Sequence, residues 1–149
     1  MQKNFDLSFI NIRNCRKNDY EFIHNLSKKN MENYVKECWG KWDSQKFKAN
    51  FKKKNIKIIN YNKRKIGFFD ITRKDSMAYL NNIQIIDFFQ GKGIGKNMMD
   101  LIEKGEKMAG AKKIRLQVFK KNPARLFYRK LGYTTIERDV HSVIMKKNL

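Results

Sequence analysis

The stretch Ile83-Gln84-Ile85-Ile86-Asp87-Phe88-Phe89-Gln90-Gly91-Lys92-Gly93-Ile94-Gly95-Lys96 passes from an apolar, β-branched run through alternate glycines into a helical pattern. A strand read over Met77 to Ile86 leads into a loop, and that loop opens a helix at Ile94. The backbone N–H groups of such a loop and the positive end of the helix dipole converge on one spot, so an anion belongs there. Glycine at alternate positions removes side chains that would block close approach and permits the positive φ of an anion-binding nest. Lys92 and Lys96 add charge at the rim. Two nucleotide motifs fail on the same residues. The third glycine of a dinucleotide fingerprint would fall on Lys96, and a P-loop would need Ser or Thr where Asn97 stands and glycine where Gln90 stands. A glycine turn with no ligand is the plain alternative.

Downstream, Ile94, Met98, Leu101, Ile102, Met108 and Ala109 mark one helical face, with Gly110 suited to its carboxyl end. Gly105 inside this helix costs about 1 kcal/mol relative to Ala. Ile114 to Val118 reads as a strand, Pro123 opens a helix to Leu131 that Gly132 ends, and strands follow at Tyr133 to Glu137 and His141 to Met145. Upstream, strands at Ile56 to Asn60, Ile66 to Thr72 and Met77 to Ile86, with turns at Asn62 to Arg64 and near Asp75, form a three-strand antiparallel meander. Nearer the start, Leu7 to Arg13 reads as a strand. Asn18 caps a helix carrying Tyr20, Phe22, Ile23 and Leu26, and a second helix runs from Met31 towards Cys38 and breaks at Gly40. Asp43 caps a further helix bearing Phe47 and Phe51. These strands and helices together describe a mixed α+β domain, a single one over residues 1–149.

Composition narrows the class. Apolar residues make up 41% of the chain and aromatics are spread along it, which argues for one packed core and against disorder. No run is long enough to span a bilayer, and Met1 to Lys17 lacks the continuous apolar segment of a signal peptide, so a cytoplasmic protein without membrane contact is expected. Cys15 and Cys38 form no C-x-x-C pair, which fits free thiols in a reducing compartment, and no metal set is apparent. The net charge of +20 invites a nucleic-acid reading through counterion release. The lysines are scattered, however, with short clusters at Lys52 to Lys54, Lys63 to Lys65 and Lys146 to Lys147, and read mainly as a solvated surface. Nucleic acid is therefore a lesser alternative, and the charge favours anionic ligands in general.

Gln90, Gly93 and Gly95 fit the pattern Gln/Arg-x-x-Gly-x-Gly/Ala, and Asn122-Pro123-Ala124-Arg125-Leu126-Phe127-Tyr128-Arg129-Lys130-Leu131-Gly132-Tyr133 fits an Asn followed by a helix ending Phe-Tyr-x-x-x-Gly-Phe/Tyr. With both motifs in order, the chain resembles the GCN5-related N-acetyltransferase (GNAT) family, and the segment Tyr34 to Asp43, together with His141, looks similar to an uncharacterised subgroup of it. The resemblance is sharp over Ile83 to Met145 and rests on element order alone before that. It implies a GNAT fold, a central twisted mixed sheet of about six to seven strands flanked by about four helices. It also implies acetyl-CoA as cosubstrate, direct transfer to a primary amine, no metal, and a monomer or homodimer.

The same resemblance distributes roles. The strand before the loop would carry a bulge and part from its neighbour, so that the pantetheine arm inserts like an added strand. Backbone groups of Ile83, Gln84, Ile85 and Ile86 would meet the pantetheine amides, with the N–H of Ile85 facing the thioester oxygen. Gln90, Gly91, Lys92, Gly93, Ile94, Gly95 and Lys96 would cradle the diphosphate; Asn122, Ala124, Phe127 and Tyr128 would line the cofactor from the second motif. Tyr128 would also protonate the departing thiolate, a role suited to a phenol that is neutral near pH 7. Its plain reading is a packed ring, and that of Asn122 is a helix cap. Trp39, Trp42 and Asn82 are the candidates for the acceptor side, with lid packing as the alternative for the two indoles. Gln117 stands where some members carry a Glu that acts as base, which leaves Glu37, Asp43, Asp70 and Asp87 as the remaining base candidates, each with a solvated surface carboxylate as its plain reading. His141 reads as structural. A non-catalytic coenzyme A-binding regulator and a basic nucleic-acid-binding module are the rival functions.

Overall fold

The computed structural model describes residues 5–149; Met1 to Asn4, part of the amino-terminal stretch read above, lie outside the described residues. Among the described residues seven strands form one sheet: β1 (Ile10–Asn14), β2 (Ile56–Tyr61), β3 (Arg64–Lys74), β4 (Met77–Ile85), β5 (Lys113–Phe119), β6 (Thr134–Arg138) and β7 (Ser142–Asn148). The spatial order is β1-β2-β3-β4-β5-β7-β6. Every neighbouring pair is antiparallel except β4 and β5, whose parallel pairing requires the crossover supplied by helix α3 (Ile94–Met108). The expected meander is present. Its first turn is a two-residue loop with Asn62 at φ 47° and Lys63 at φ 71°, the pairing of positive angles that matches hairpin twist.

Helices α1 (Tyr20–Trp39) and α2 (Ser44–Asn50) cover one face, and α3 and α4 (Ala124–Lys130) the other. Ile66, Gly67, Phe68 and Phe69 are all buried, as a central strand with helices on both sides demands. Phe68 packs with Ile23, Leu26, Ile56 and Ile58 beneath α1, whereas Phe69 joins Met98, Met99, Ile102, Leu116 and Met145 beneath α3.

Three readings need correction. The segment Leu7–Phe9 is a 3₁₀ turn, held by Asp6 accepting from Ser8 N, so the first strand starts at Ile10. The helices expected on either side of Met31 are one helix of 20 residues, ended by Gly40 at φ 97°, and Asp19 rather than Asn18 precedes it. On α3, Leu101 and Met108 face solvent while Met99 is buried. The sheet-facing stripe continues through Glu103 and Glu106, which pair with Lys147 at 2.6 Å and Arg73 at 2.8 Å. Ion pairs to the sheet thus hold the later part of this helix, where the apolar spacing places Met108 and Ala109.

Candidate active site

β4 ends at Ile85, a 3₁₀ turn occupies Asp87–Phe89, and the glycine loop follows. Gly91 and Gly93 take φ of 69° and 85°, the left-handed region that L side chains avoid, and a Cβ on either would have no heavy atom within 4 Å. The space outside the loop is therefore open, next to the first turn of a helix whose leading N–H groups have no intrahelical partner. Gly95 serves packing instead: its Cβ would lie 3.5 Å from Phe127 Cζ, so α3 approaches α4 closely there. Ile94 is fully buried and anchors the turn. Gln90 ties the loop to the strand, its Nε2 donating to the Ile85 carbonyl at 2.8 Å. Lys92 lies over the Phe5 ring with Nζ 5.8 Å from its centroid, and Lys96 is exposed.

Beside the loop the sheet opens. β4 and β5 pair only from Met77 opposite Lys113 to Leu80 opposite Leu116. Beyond that, β4 stays with β3 as far as Ile85 opposite Gly67, and β5 stays with β7 as far as Phe119 opposite Ser142. The divergence begins at a bulge, because Asp70 faces Asn82 while Ile71 faces Leu80, leaving Asn81 as the extra residue. A bulge bends its strand and increases local twist. Gly67 lets β3 follow closely, since a Cβ there would sit 2.4 Å from the Gln84 carbonyl oxygen. Ile86 N donates to Ile66 O at 2.8 Å, so by antiparallel alternation Ile85 and Ile83 turn their N–H and C=O groups away from β3, towards the gap. The acceptors agree: Ile85 O takes hydrogen bonds from Asn30 Nδ2 at 3.2 Å and from Gln90 Nε2.

On the α4 side, Asn122 Oδ1 accepts from Ala124 N at 2.9 Å, the cap expected before Pro123. Phe127 and Tyr128 pack ring to ring with centroids 5.4 Å apart, and Tyr128 meets Tyr133 at 5.7 Å. Burial pushes the Tyr128 phenol up to about 12. Its hydroxyl is therefore protonated throughout the physiological range and available as a donor.

On the α1 side, Asn30 Nδ2 also donates to Gln84 Oε1 at 3.1 Å, and Gln84 Nε2 donates to Asn82 Oδ1 at 2.9 Å, so an amide chain runs along the bulged strand. Tyr34 stacks on Phe119 at 5.7 Å, and Trp39, 62% exposed, lies 5.2 Å from the same ring at the open end of β5. Trp42 is placed elsewhere: its Nε1 donates to His24 Nε2 at 3.2 Å, and its ring packs on Phe47 between α1 and α2. Asp43 caps α2 through Lys46 N, Glu37 pairs with Lys121, and Asp87 is exposed in the 3₁₀ turn. Asp70 remains, half-buried at the bulge. Gln117 Nε2 donates to Ser142 Oγ at 2.8 Å, and His141 is exposed with its carbonyl accepting from Lys120 N.

The sequence reading passed over Asn30 and Asn81. For Asn30 a signal existed: it lies seven residues after Ile23 and three after the buried Ser27, on the inward stripe of α1. No local pattern marks Asn81, because a bulge is a mismatch between two strands.

A mixed sheet that parts beside a left-handed glycine loop at a helix amino terminus defines an acetyltransferase fold. Residues 21–143 match the family model described as the acetyltransferase (GNAT) domain, and the chain belongs to the GNAT family. No curated protein matches it. Among solved structures, PaiA N-acetyltransferase from Thermoplasma acidophilum, in complex with coenzyme A, superposes with a TM-score of 0.76 at 19% identity, over 94% of this chain and 99% of that one. Ard1 from Thermoplasma volcanium gives 0.75 at 14% identity, over 95% and 98% of the two chains. The ribosomal-protein-S18-alanine N-acetyltransferase of Escherichia coli gives 0.72 at 17% identity, over 93% of each. At such identities the likeness is one of fold. No helix among the described residues is long and apolar enough to cross a membrane, and Cys15 and Cys38 are free thiols.

Proposed function

We propose that this protein is an N-acetyltransferase that moves the acetyl group of acetyl-CoA directly to a primary amine. The observation that carries the reading is the parting of β4 from β5 at the Asn81 bulge, immediately beside the open glycine loop. The loop from Gln90 to Lys96 would hold the diphosphate through backbone N–H groups, which need the space that Gly91 and Gly93 leave. The gap-facing backbone of Ile83 and Ile85 would pair with the pantetheine amides as a neighbouring strand would. The Ile85 carbonyl is already engaged by two side-chain amides, so its N–H is the group left to face a developing oxyanion. When bound, the cosubstrate supplies a thioester carbon open to attack by an amine. Tyr128, protonated and on the helix that packs on β5, would donate to the leaving sulfur as the neutral amine attacks and the C–S bond breaks, the proton shed by nitrogen passing to water and so back to the phenol. Trp39 and Asn82 stand on the acceptor side; Trp42 is engaged within the α1–α2 contact and drops out of this reading. Free thiols support a reducing, cytoplasmic setting.

Calorimetric titration with acetyl-CoA tests the donor site. The parent is expected to bind with micromolar affinity or better, about 8 kcal/mol. Gly93→Glu, which places a carboxylate and a strained φ in the loop, is expected to abolish binding while leaving the fold intact. A folded parent that ignores acetyl-CoA overturns the reading. Binding without thiol release across a panel of amines would instead mark a coenzyme A-binding regulator.

A further inference from the structure

Asp70 has an unusual setting for this protein. It lies on β3 directly opposite Asn82, at the bulge where β4 leaves β5. Phe68 faces the α1 cluster while Phe69 and Ile71 face the α3 cluster, so alternation puts Asp70 on the α1 face, the same side as Asn82 and Gln84. α1 crosses that face at the level of Gln84 and Phe119, through Asn30, Tyr34 and Trp39, and leaves the Asp70 carboxylate half-buried beyond it.

The chain carries 34 Lys and Arg against 14 Asp and Glu, so an acidic side chain finds cations easily. The ion pairs of the described residues take up Asp19, Glu32, Glu37, Glu103 and Glu106, and none includes Asp70. Its side-chain partner is a neutral amide, Asn81 Nδ2, at 3.1 Å from Oδ1, and the same amide nitrogen lies 3.1 Å from Thr72 Oγ1. Arg115, on the neighbouring part of that face, sits instead over the Tyr79 ring at 5.7 Å. Burial pushes the Asp70 carboxyl up, against a lowering by the Asn81 hydrogen bond. A carboxylate stripped of part of its water with no cation beside it is costly, and an arriving cation recovers that cost.

We propose that Asp70 is the docking group for the acceptor, binding the primary ammonium of the incoming amine on the α1 side of the strand gap before that ammonium gives up a proton to water and attacks as the neutral amine. The proposal rests on the acetyl-transfer reading for what the amine is there to do. Primary ammonium is the fitting cation because its three N–H donors can be shared between the two carboxylate oxygens and the neighbouring hydroxyl oxygen of Thr72, which Asn81 Nδ2 links to Asp70. A quaternary ammonium offers no donor and a guanidinium needs a planar fork. The acceptor is thus selected at the bulge by charge and donor count, next to where the backbone turns into the gap.

The test uses the full-length protein and n-butylammonium as probe, following the side-chain carboxyl ¹³C signal of Asp70 assigned with Asp70→Asn. A saturable displacement by butylammonium, absent with tetramethylammonium, is expected; no displacement overturns the proposal. Transfer to butylamine, read as thiol release, then separates the two readings. Asp70→Asn is expected to keep the parent's acetyl-CoA affinity, with a thermal midpoint no lower than the parent's, while kcat/KM for the amine falls about 30-fold or more, with Asp70→Glu recovering part of it. An unchanged kcat/KM in Asp70→Asn overturns the docking role. A parent that fails to bind acetyl-CoA refutes the donor site, and the carboxyl titration still decides Asp70.

Discussion

Tyr128 shows how far a single residue can be read. Its place four residues before Gly132 was visible in the chain, but both roles considered for it, packed ring and proton donor, fit the same letters. The structure makes them compatible: the ring packs with Phe127 and Tyr133, and that burial raises the phenol to about 12. The sign follows directly. The donor form is the protonated one, present below the raised value, so no loss of rate from Tyr128 ionisation is expected until pH nears 12. Tyr128→Phe is expected to leave acetyl-CoA affinity unchanged and to lower kcat about 100-fold, measured by thiol release at saturating donor. An equal rate in the variant would assign Tyr128 to packing alone. Gly91 and Gly93 were legible as conformational glycines because a strand-to-helix turn needs positive φ, whereas the packing role of Gly95 against Phe127 needed the second motif to be folded onto the first.

Among the elements, α1 depends most on contacts distant in sequence. Asp19, fully buried at its amino end, receives a bidentate pair from Arg13 on β1, an ion pair from Lys65 on β3 at 2.9 Å and a hydrogen bond from Arg16 N at 2.7 Å. These contacts pin the start of the helix to two strands and so set where Asn30, Tyr34 and Trp39 arrive beside the gap. The Arg13 guanidinium, with Lys65 and the Arg16 amide, holds the Asp19 carboxyl far below the usual carboxylate range. A depressed folded pKa contributes stability that is present above the unfolded value near 4 and lost as pH falls below it. Asp19→Asn is expected to cost roughly 3 kcal/mol at pH 7, the low end for a broken buried pair because Arg13 and Lys65 keep contact with water. Urea unfolding at pH 7, 4 and 3 checks both points: the gap between parent and variant should narrow as pH falls. A constant gap would remove the carboxylate from the account.

For the molecule as a whole, the +20 charge is the feature that composition raises and the fold does not explain. Binding of acetyl-CoA at the loop engages few phosphates, so its affinity is expected to fall only a few-fold between about 50 and 200 mM salt. Any DNA duplex binding by the same surface should fall roughly 1,000-fold over that range and be indifferent to Gly93→Glu. Fluorescence anisotropy with both ligands decides this; duplex binding that survives salt and is lost in Gly93→Glu would place nucleic acid at the loop and overturn the donor assignment. We also propose that residues 1–149 behave as one domain. The two apolar clusters lie on opposite faces of one sheet and Ile86 packs against both, so far- and near-ultraviolet signals should follow one urea transition.

From Ile56 onward the sequence alone determined the order of the strands and helices, because alternation, helical spacing and the glycine and proline stops are local signals carried over a few residues. It also made the glycine loop legible as a strand-to-helix turn with positive φ, since loop and helix amino terminus are contiguous in the chain. Only the tertiary structure decided that residues 20–39 form one helix, because Asp19 ties its start to the sheet and Asn30, next to Met31, ties its middle to Gln84 and Ile85. It alone decided the position of the gap, which depends on the Asn81 bulge and on two strands keeping different partners. And it alone singled out Asp70 among the candidate carboxylates: Asp43, Glu37 and Asp87 look the same in the chain, but whether a charge meets a partner, a cap or partial burial is settled by residues far away in sequence.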